Sequence, residues 1–177
     1  AIHERVPRNA PPVFNLGAHE FTVLFHDGRV EVDPAPVRAL ELDDMLGEAP
    51  RTAEDAAAYD AAYHDAIARL AREAKGSVRD APGISIKLSA LHPRYEVLQE
   101  ARVMAELVPV VSRLARQARD AGIALHVDAE EQDRLVLSLK VIEAVLADQY
   151  LAGWDGFGVV VQAYGKRAGP ALDALYT

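Results

Sequence analysis

The sequence predicts an α/β fold, a parallel sheet whose strands alternate with helices. Three short runs alternate apolar and polar residues and end in a polar tip. Long stretches with apolar residues at helical spacing lie between them. No Gly-x-Gly-x-x-Gly follows any of these strands, which argues against a doubly wound dinucleotide-binding sheet. Polar tips on the face away from the helices suit a (β/α)8 barrel of the TIM type, with its site at the strands' C-terminal ends. Such a barrel takes about 250 residues. The 177 residues here hold about four βα units, so a partial barrel is expected, the N-terminal half of a longer one.

Composition bounds the function. Half the residues are hydrophobic (50%) and 26% are charged, as in an ordinary globular domain with a real core. The formal charge of -8 argues against a nucleic-acid surface, which needs clustered Lys and Arg. It leaves room for a small anion held by local cations. Cysteine is absent, which removes disulfides and thiolate chemistry. No apolar run is long enough to span a bilayer, and no signal peptide is evident. A cytoplasmic location is expected.

Residues 1–38 read as a separate segment, broken up by Pro7, Pro11, Pro12, Pro34 and Pro36. Within it Glu20–His26, Asp27-Gly28 and Arg29–Asp33 predict a small hairpin. His3, His19 and His26 match no metal spacing and read as surface histidines. Residues 39–177 form the barrel segment. Leu40–Leu46 reads as a strand with Asp44 near its end. Thr52 and Asp55 make a capping-box variant for a helix running to about Lys75. Tyr59 and Tyr63 on that helix read as core or rim residues.

The central strand is Gly83–Ser89. Ile84, Ile86 and Leu88 point one way; Ser85, Lys87 and Ser89 point the other. The next helix, about Val97–Ala121, carries a stripe of Met104, Leu107, Val111, Leu114 and Ala118. Pro109 is expected to kink it, and Gly122 to end it. In Ile123–Asp128 the residues Ala124, His126 and Asp128 share the polar face. Glu130, Glu131 and Asp133 then read as the first turn of a third helix, with an apolar stripe of Leu135, Leu139, Ile142, Val145 and Leu146. Asp155-Gly156 turns into Phe157–Gln162, where Gly158, Val160 and Gln162 face the polar side. A last helix starts near Ala168.

Three tips can do chemistry. Lys87 could bind a carboxylate or form a Schiff base, or be a solvated strand-end lysine. Asp128 could orient a ligand or simply cap the following helix. Gln162 offers a donor and an acceptor to a heteroaromatic edge, or a hydrogen bond across the barrel top. Glu130 and Glu131 read as solvated first-turn charges, or as contacts of the site. His126 and Asp128 are a pair without a third metal ligand, and no metal is expected. His92 and Trp154 read as structural.

Four stretches, Asp44–Ala49, Gly83–Tyr95, Asp128–Leu135 and Gly153–Arg167, resemble the proline dehydrogenase barrel, most like the bifunctional proline utilization A flavoproteins. The likeness covers about residues 40–177. It implies a distorted (β/α)8 barrel that holds FAD and oxidises L-proline to Δ1-pyrroline-5-carboxylate. The hydride would pass to flavin N5 and the electrons on to a membrane quinone. It implies that Lys87 contacts the substrate carboxylate, that Asp128 and Asp44 belong to the active site, and that Asp128, Ala129 and Gln162 meet the flavin. It also implies a cytoplasmic enzyme peripheral to the inner membrane. The family's later half carries an Arg-Leu-Val-Lys-Gly-Ala-Tyr-type flavin motif and a pair of carboxylate-clamping arginines, and these 177 residues contain neither. This chain alone is therefore expected to be inactive and prone to self-association. The competing expectations are a Schiff-base lysine aldolase or lyase, and a non-catalytic barrel fragment.

Overall fold

A computed structural model describes residues 13–14, 23–24, 30–31 and 50–175. The expected strand Leu40–Leu46, with Asp44, lies outside the described residues, as do His3, His19 and His26. The described strands are β1 (Val13–Phe14), β2 (Val23–Leu24), β3 (Val30–Glu31), β4 (Gly83–Ile86), β5 (Ala124–Val127) and β6 (Phe157–Val160). The helices are α1 (Ala53–Leu70), α2 (Glu100–Asp120), α3 (Leu135–Leu146) and α4 (Ala168–Leu175). From β4 onward strand and helix alternate, the repeat of a partial (β/α)8 barrel.

β4, β5 and β6 are parallel neighbours. Ser85 stands opposite His126, and His126 opposite Gly158. β1 pairs antiparallel with β6, Val13 against Val160, so that edge of the parallel sheet carries a partner. β2 and β3 pair antiparallel in the stretch where the hairpin is predicted.

The predicted capping box begins α1. Thr52 accepts from the Asp55 N–H at 3.1 Å, and Asp55 accepts from the Thr52 N–H at 3.0 Å. The helix stops at Leu70, before the expected Lys75, because the chain tightens: Arg72 and Glu73 bond three residues back, to Arg69 and Leu70. α2 ends as Gly122 predicts. Its φ is +69°, the Gly122 N–H reaches the Arg119 carbonyl and the Ile123 N–H reaches Ala118, the two bonds of a Schellman motif. The helix continues through Pro109, on the exposed side, where the unpaired Ala105 carbonyl can meet water.

The core lies between the sheet and the helices. Ile86, Leu125 and Val127 are fully buried, against Val103, Leu107, Val111 and Leu114 of α2 and Leu137, Val141 and Val145 of α3. The α2 stripe is as predicted, with Val103 rather than the half-buried Met104 at its start. The α3 stripe differs. Ile142 and Val145 are buried as expected, but Leu137 and Val141 replace Leu135 and Leu139, and Leu146 is exposed. The run Leu135-Val-Leu-Ser-Leu139 is apolar on nearly every side, so periodicity alone could not choose a face.

α3 also begins later than expected, at Leu135. The stretch 128–134 is not helical because its backbone is claimed from outside. The Gln162 side-chain amide donates to the Ala129 carbonyl at 3.3 Å and the Glu130 carbonyl at 3.0 Å. Those carbonyls would otherwise accept the first intrahelical bonds. Glu130, Glu131 and Asp133 are therefore loop residues and load no helical turn.

Candidate active site

The ends of β4, β5 and β6 bring three predicted residues together around the loop after β5. Lys87 follows the last residue of β4 and is half-buried. Neighbouring residues of a strand turn their N–H groups to opposite edges. The Ile86 carbonyl accepts from the Asp128 N–H across to β5, at 2.9 Å. The Lys87 N–H faces the other edge, where it donates to the hydroxyl of Tyr63 at 3.1 Å. The Lys87 carbonyl accepts from Ala90 and opens a tight turn over Leu88–Leu91.

Asp128 follows the last residue of β5 but does not cap α3, which begins seven residues on. Its Oδ1 accepts from the Ala129 N–H at 2.9 Å. Burial pushes its carboxyl above the usual range, and the nearby Lys87 charge and the Ala129 N–H pull it back in part. Lys87 and Asp128 are thus close enough to feel each other's charge. Gln162 is held as well. Besides its two bonds to the loop carbonyls, its Oε1 accepts from Gln132 Nε2 at 2.8 Å. This is the hydrogen bond across the strand ends that was one of its two readings.

Glu130 is not the solvated charge of its first reading. Its carboxylate is half-buried and takes the Ser89 hydroxyl at 2.7 Å and the Ser89 N–H at 3.1 and 3.2 Å. Burial raises its carboxyl too, and the two Ser89 bonds oppose the rise. The loop after β5 is thereby tied to β4 through Ser89 and to β6 through Gln162. The sequence did place Ser89 on the polar face, beside Lys87. It gave no sign that Glu130 would meet it, because an acidic residue just after a strand looks the same when it opens a helix.

Beneath these tips His126 is buried, 5% exposed, and its ring lies over Gly158. A Cβ built on Gly158 would lie 2.2 Å from His126 Cδ2, so only glycine leaves room for the ring. Burial lowers the basicity of His126, and a hydrogen bond with the Ile84 backbone opposes this. Enclosed in this way, His126 forms the floor under the tips. His92 is structural as expected: buried, its Nδ1 accepts from the Arg94 N–H and its Nε2 faces Glu106 at 3.1 Å. Trp154 packs edge-on against Phe157.

The family described as proline dehydrogenase matches residues 39–177. The bifunctional protein PutA of Salmonella typhimurium is 50% identical over 133 residues, covering 75% of this chain and 10% of its own length. The PutA protein of Rhizobium meliloti is 53% identical over 132 residues, with the same coverage of 75% and 10%. A crystal structure of Bradyrhizobium japonicum proline utilization A superposes with a TM-score of 0.72 at 53% identity, over 73% of this chain and 14% of that one. The chain therefore spans about a tenth of the length of the curated relatives it matches.

Proposed function

The chain belongs to the proline dehydrogenase family, and from that premise we propose that it contributes part of the active site of a longer enzyme that oxidises L-proline to Δ1-pyrroline-5-carboxylate with FAD. The observation that carries this reading is the meeting of a cation, a half-buried carboxylate and a carboxamide at adjacent strand ends, within the matched residues. Lys87 supplies the charge for the substrate carboxylate. Asp128 is drawn toward neutrality by burial. Asp44, outside the described residues, is assigned to the same site on the family likeness alone.

The donor set fits a flavin in kind. Gln162 has its amide hydrogens engaged but keeps an acceptor lone pair on Oε1, and Ala129 and Asp128 lie beside it. The space among Asp128, Gln132, Leu139 and Gln162 is about 30 Å³, too small for a three-ring system. FAD, when bound, supplies the two-electron acceptor. The chain's own residues hold the carboxylate, keep a carboxyl close by, and fix the loop that carries Asp128 and Ala129. A membrane quinone as the onward acceptor, a cytoplasmic enzyme peripheral to the inner membrane, and self-association complete the reading.

The test uses the longer protein that carries this chain. Flavin absorbance after desalting and dye-linked proline oxidation are measured for the wild type and Lys87→Ala. The expected result is retained flavin in both and weakened proline affinity in the variant. Flavin loss with unchanged proline affinity overturns the lysine assignment. Borohydride trapping of a carbonyl substrate on Lys87 would instead support the aldolase or lyase alternative. The 177-residue chain alone is expected to retain no flavin and to show no turnover.

A further inference from the structure

A backbone N–H beside a charged side chain fixes where that side chain starts. At Lys87 this N–H points away from β5, and among the described residues β4 is the edge of its sheet. The group that receives it is the hydroxyl of Tyr63, on α1, at 3.1 Å. Tyr63 is 1% exposed, and its ring belongs to the core with Ile67, Ile86 and Leu88. Its hydroxyl therefore reaches the strand end from a rigid base, and burial keeps it protonated. Two residues on, the Ser89 N–H is held by the Glu130 carboxylate. Lys87 thus leaves the strand between two backbone groups fixed by side chains, one from α1 and one from the loop after β5.

From this we infer that Tyr63 is a positioning residue for Lys87: its hydroxyl sets the height and direction at which the lysine presents its ammonium to an anionic substrate group. The inference rests on the proposed role of Lys87. The ring of Tyr63 packs like any core aromatic, so the packing is kept in Tyr63→Phe while the hydrogen bond is lost. The Lys87 N–H then lacks its acceptor, and the chain leaves β4 at another angle to satisfy it. A lysine moved in this way still carries its charge but meets the carboxylate less well.

The experiment is a double-mutant cycle in the flavin-loaded longer protein, with Tyr63→Phe, Lys87→Met and the double variant. KM for L-proline and flavin retention are measured, together with amide hydrogen exchange resolved to Lys87. Tyr63→Phe should raise KM roughly tenfold, the worth of one ordinary hydrogen bond, with flavin retained. It should also speed exchange at Lys87. In the Lys87→Met background the same change should leave KM unaltered, which a general weakening of the fold would not do. An unchanged KM in Tyr63→Phe, or an equal loss in both backgrounds, overturns the inference while leaving the role of Lys87 standing. If Lys87→Met itself binds proline normally, the functional reading of Lys87 fails, and that of Tyr63 with it. Should Tyr63→Phe not fold, exchange in the wild type still decides: a Lys87 amide that exchanges freely shows the hydrogen bond is not formed, and a protected one supports it.

Discussion

The two faces of the sheet are built on different principles. Toward the helices, Ile86, Leu125 and Val127 are fully buried in a cluster of hydrophobic residues. At the strand ends, Lys87, Asp128, Glu130 and Gln162 are half-buried polar groups, fixed through hydrogen bonds between side chains and backbone. The first face gains stability from every contact. The second keeps two carboxyls where burial disfavours their charge. The contrast teaches where stability and chemistry are separated in this chain: substitutions on the helix side should change stability, and those at the tips should change binding.

The sharpest way to break the comparison is a cavity on the helix side. Leu107→Ala removes a fully buried side chain between α2 and the sheet. It should cost about 2–5 kcal/mol, read as a lower urea midpoint. On the proposed function, the proline affinity of the folded longer protein should hardly move. A large change in affinity at full folding would show that the two faces are coupled.

The converse is Lys87→Ala. On the proposed function, loss of one charge-assisted hydrogen bond should weaken proline binding by the longer protein by about 1.5–3 kcal/mol. The urea midpoint should stay near wild type, because the charge is not part of the core. A stability loss as large as that of Leu107→Ala would put Lys87 in the wrong class.

Gly158 tests the boundary between the two faces. Alanine there drives a Cβ into the His126 ring, 2.2 Å from Cδ2, and overpacking of this kind costs about 1–3 kcal/mol. Adding His126→Ala should recover part of the loss, since the ring is the obstacle. Equal stability of Gly158→Ala and wild type in thermal denaturation would show that the ring can move aside.

How much of this was legible in the sequence follows the same division. Alternation along β4 and β5 and the Leu107–Ala118 part of the α2 stripe are local periodicities, and they located the core. Thr52 with Asp55 and the glycine at 122 located helix ends because capping is also local. The partner of Glu130 was not legible because Ser89 is 41 residues away and reached only through the fold. Gln162 was found by parity, but its effect on the 128–134 loop was not. That effect depends on an amide 32 and 33 residues on from the carbonyls it takes, competing with helix formation. Tyr63, read as core or rim, is a core residue, yet nothing in the α1 pattern revealed that its hydroxyl would end at Lys87.

The smallest expected effect has the opposite sign from all the others. Asp128→Asn should stabilise the fold at neutral pH while harming binding. The carboxyl of Asp128 titrates above its usual value in the fold, with burial the largest cause. The native state therefore holds a proton more readily than the unfolded chain, and stability falls as pH rises through the window between the two pKa values. Above that window the whole cost is present, and below the ordinary carboxyl value it has vanished. Asparagine keeps an oxygen for the Ala129 N–H and carries no charge to desolvate. It gives up the attraction to Lys87, which is the smaller influence here. Melting temperatures of Asp128→Asn and wild type should therefore differ most at neutral pH and converge as the pH is lowered through the raised carboxyl value. A destabilised variant at neutral pH would mean that the attraction to Lys87 outweighs burial. A gain independent of pH would mean that the carboxyl is not desolvated at all, and the strand ends would then be no more costly to the fold than the helix side.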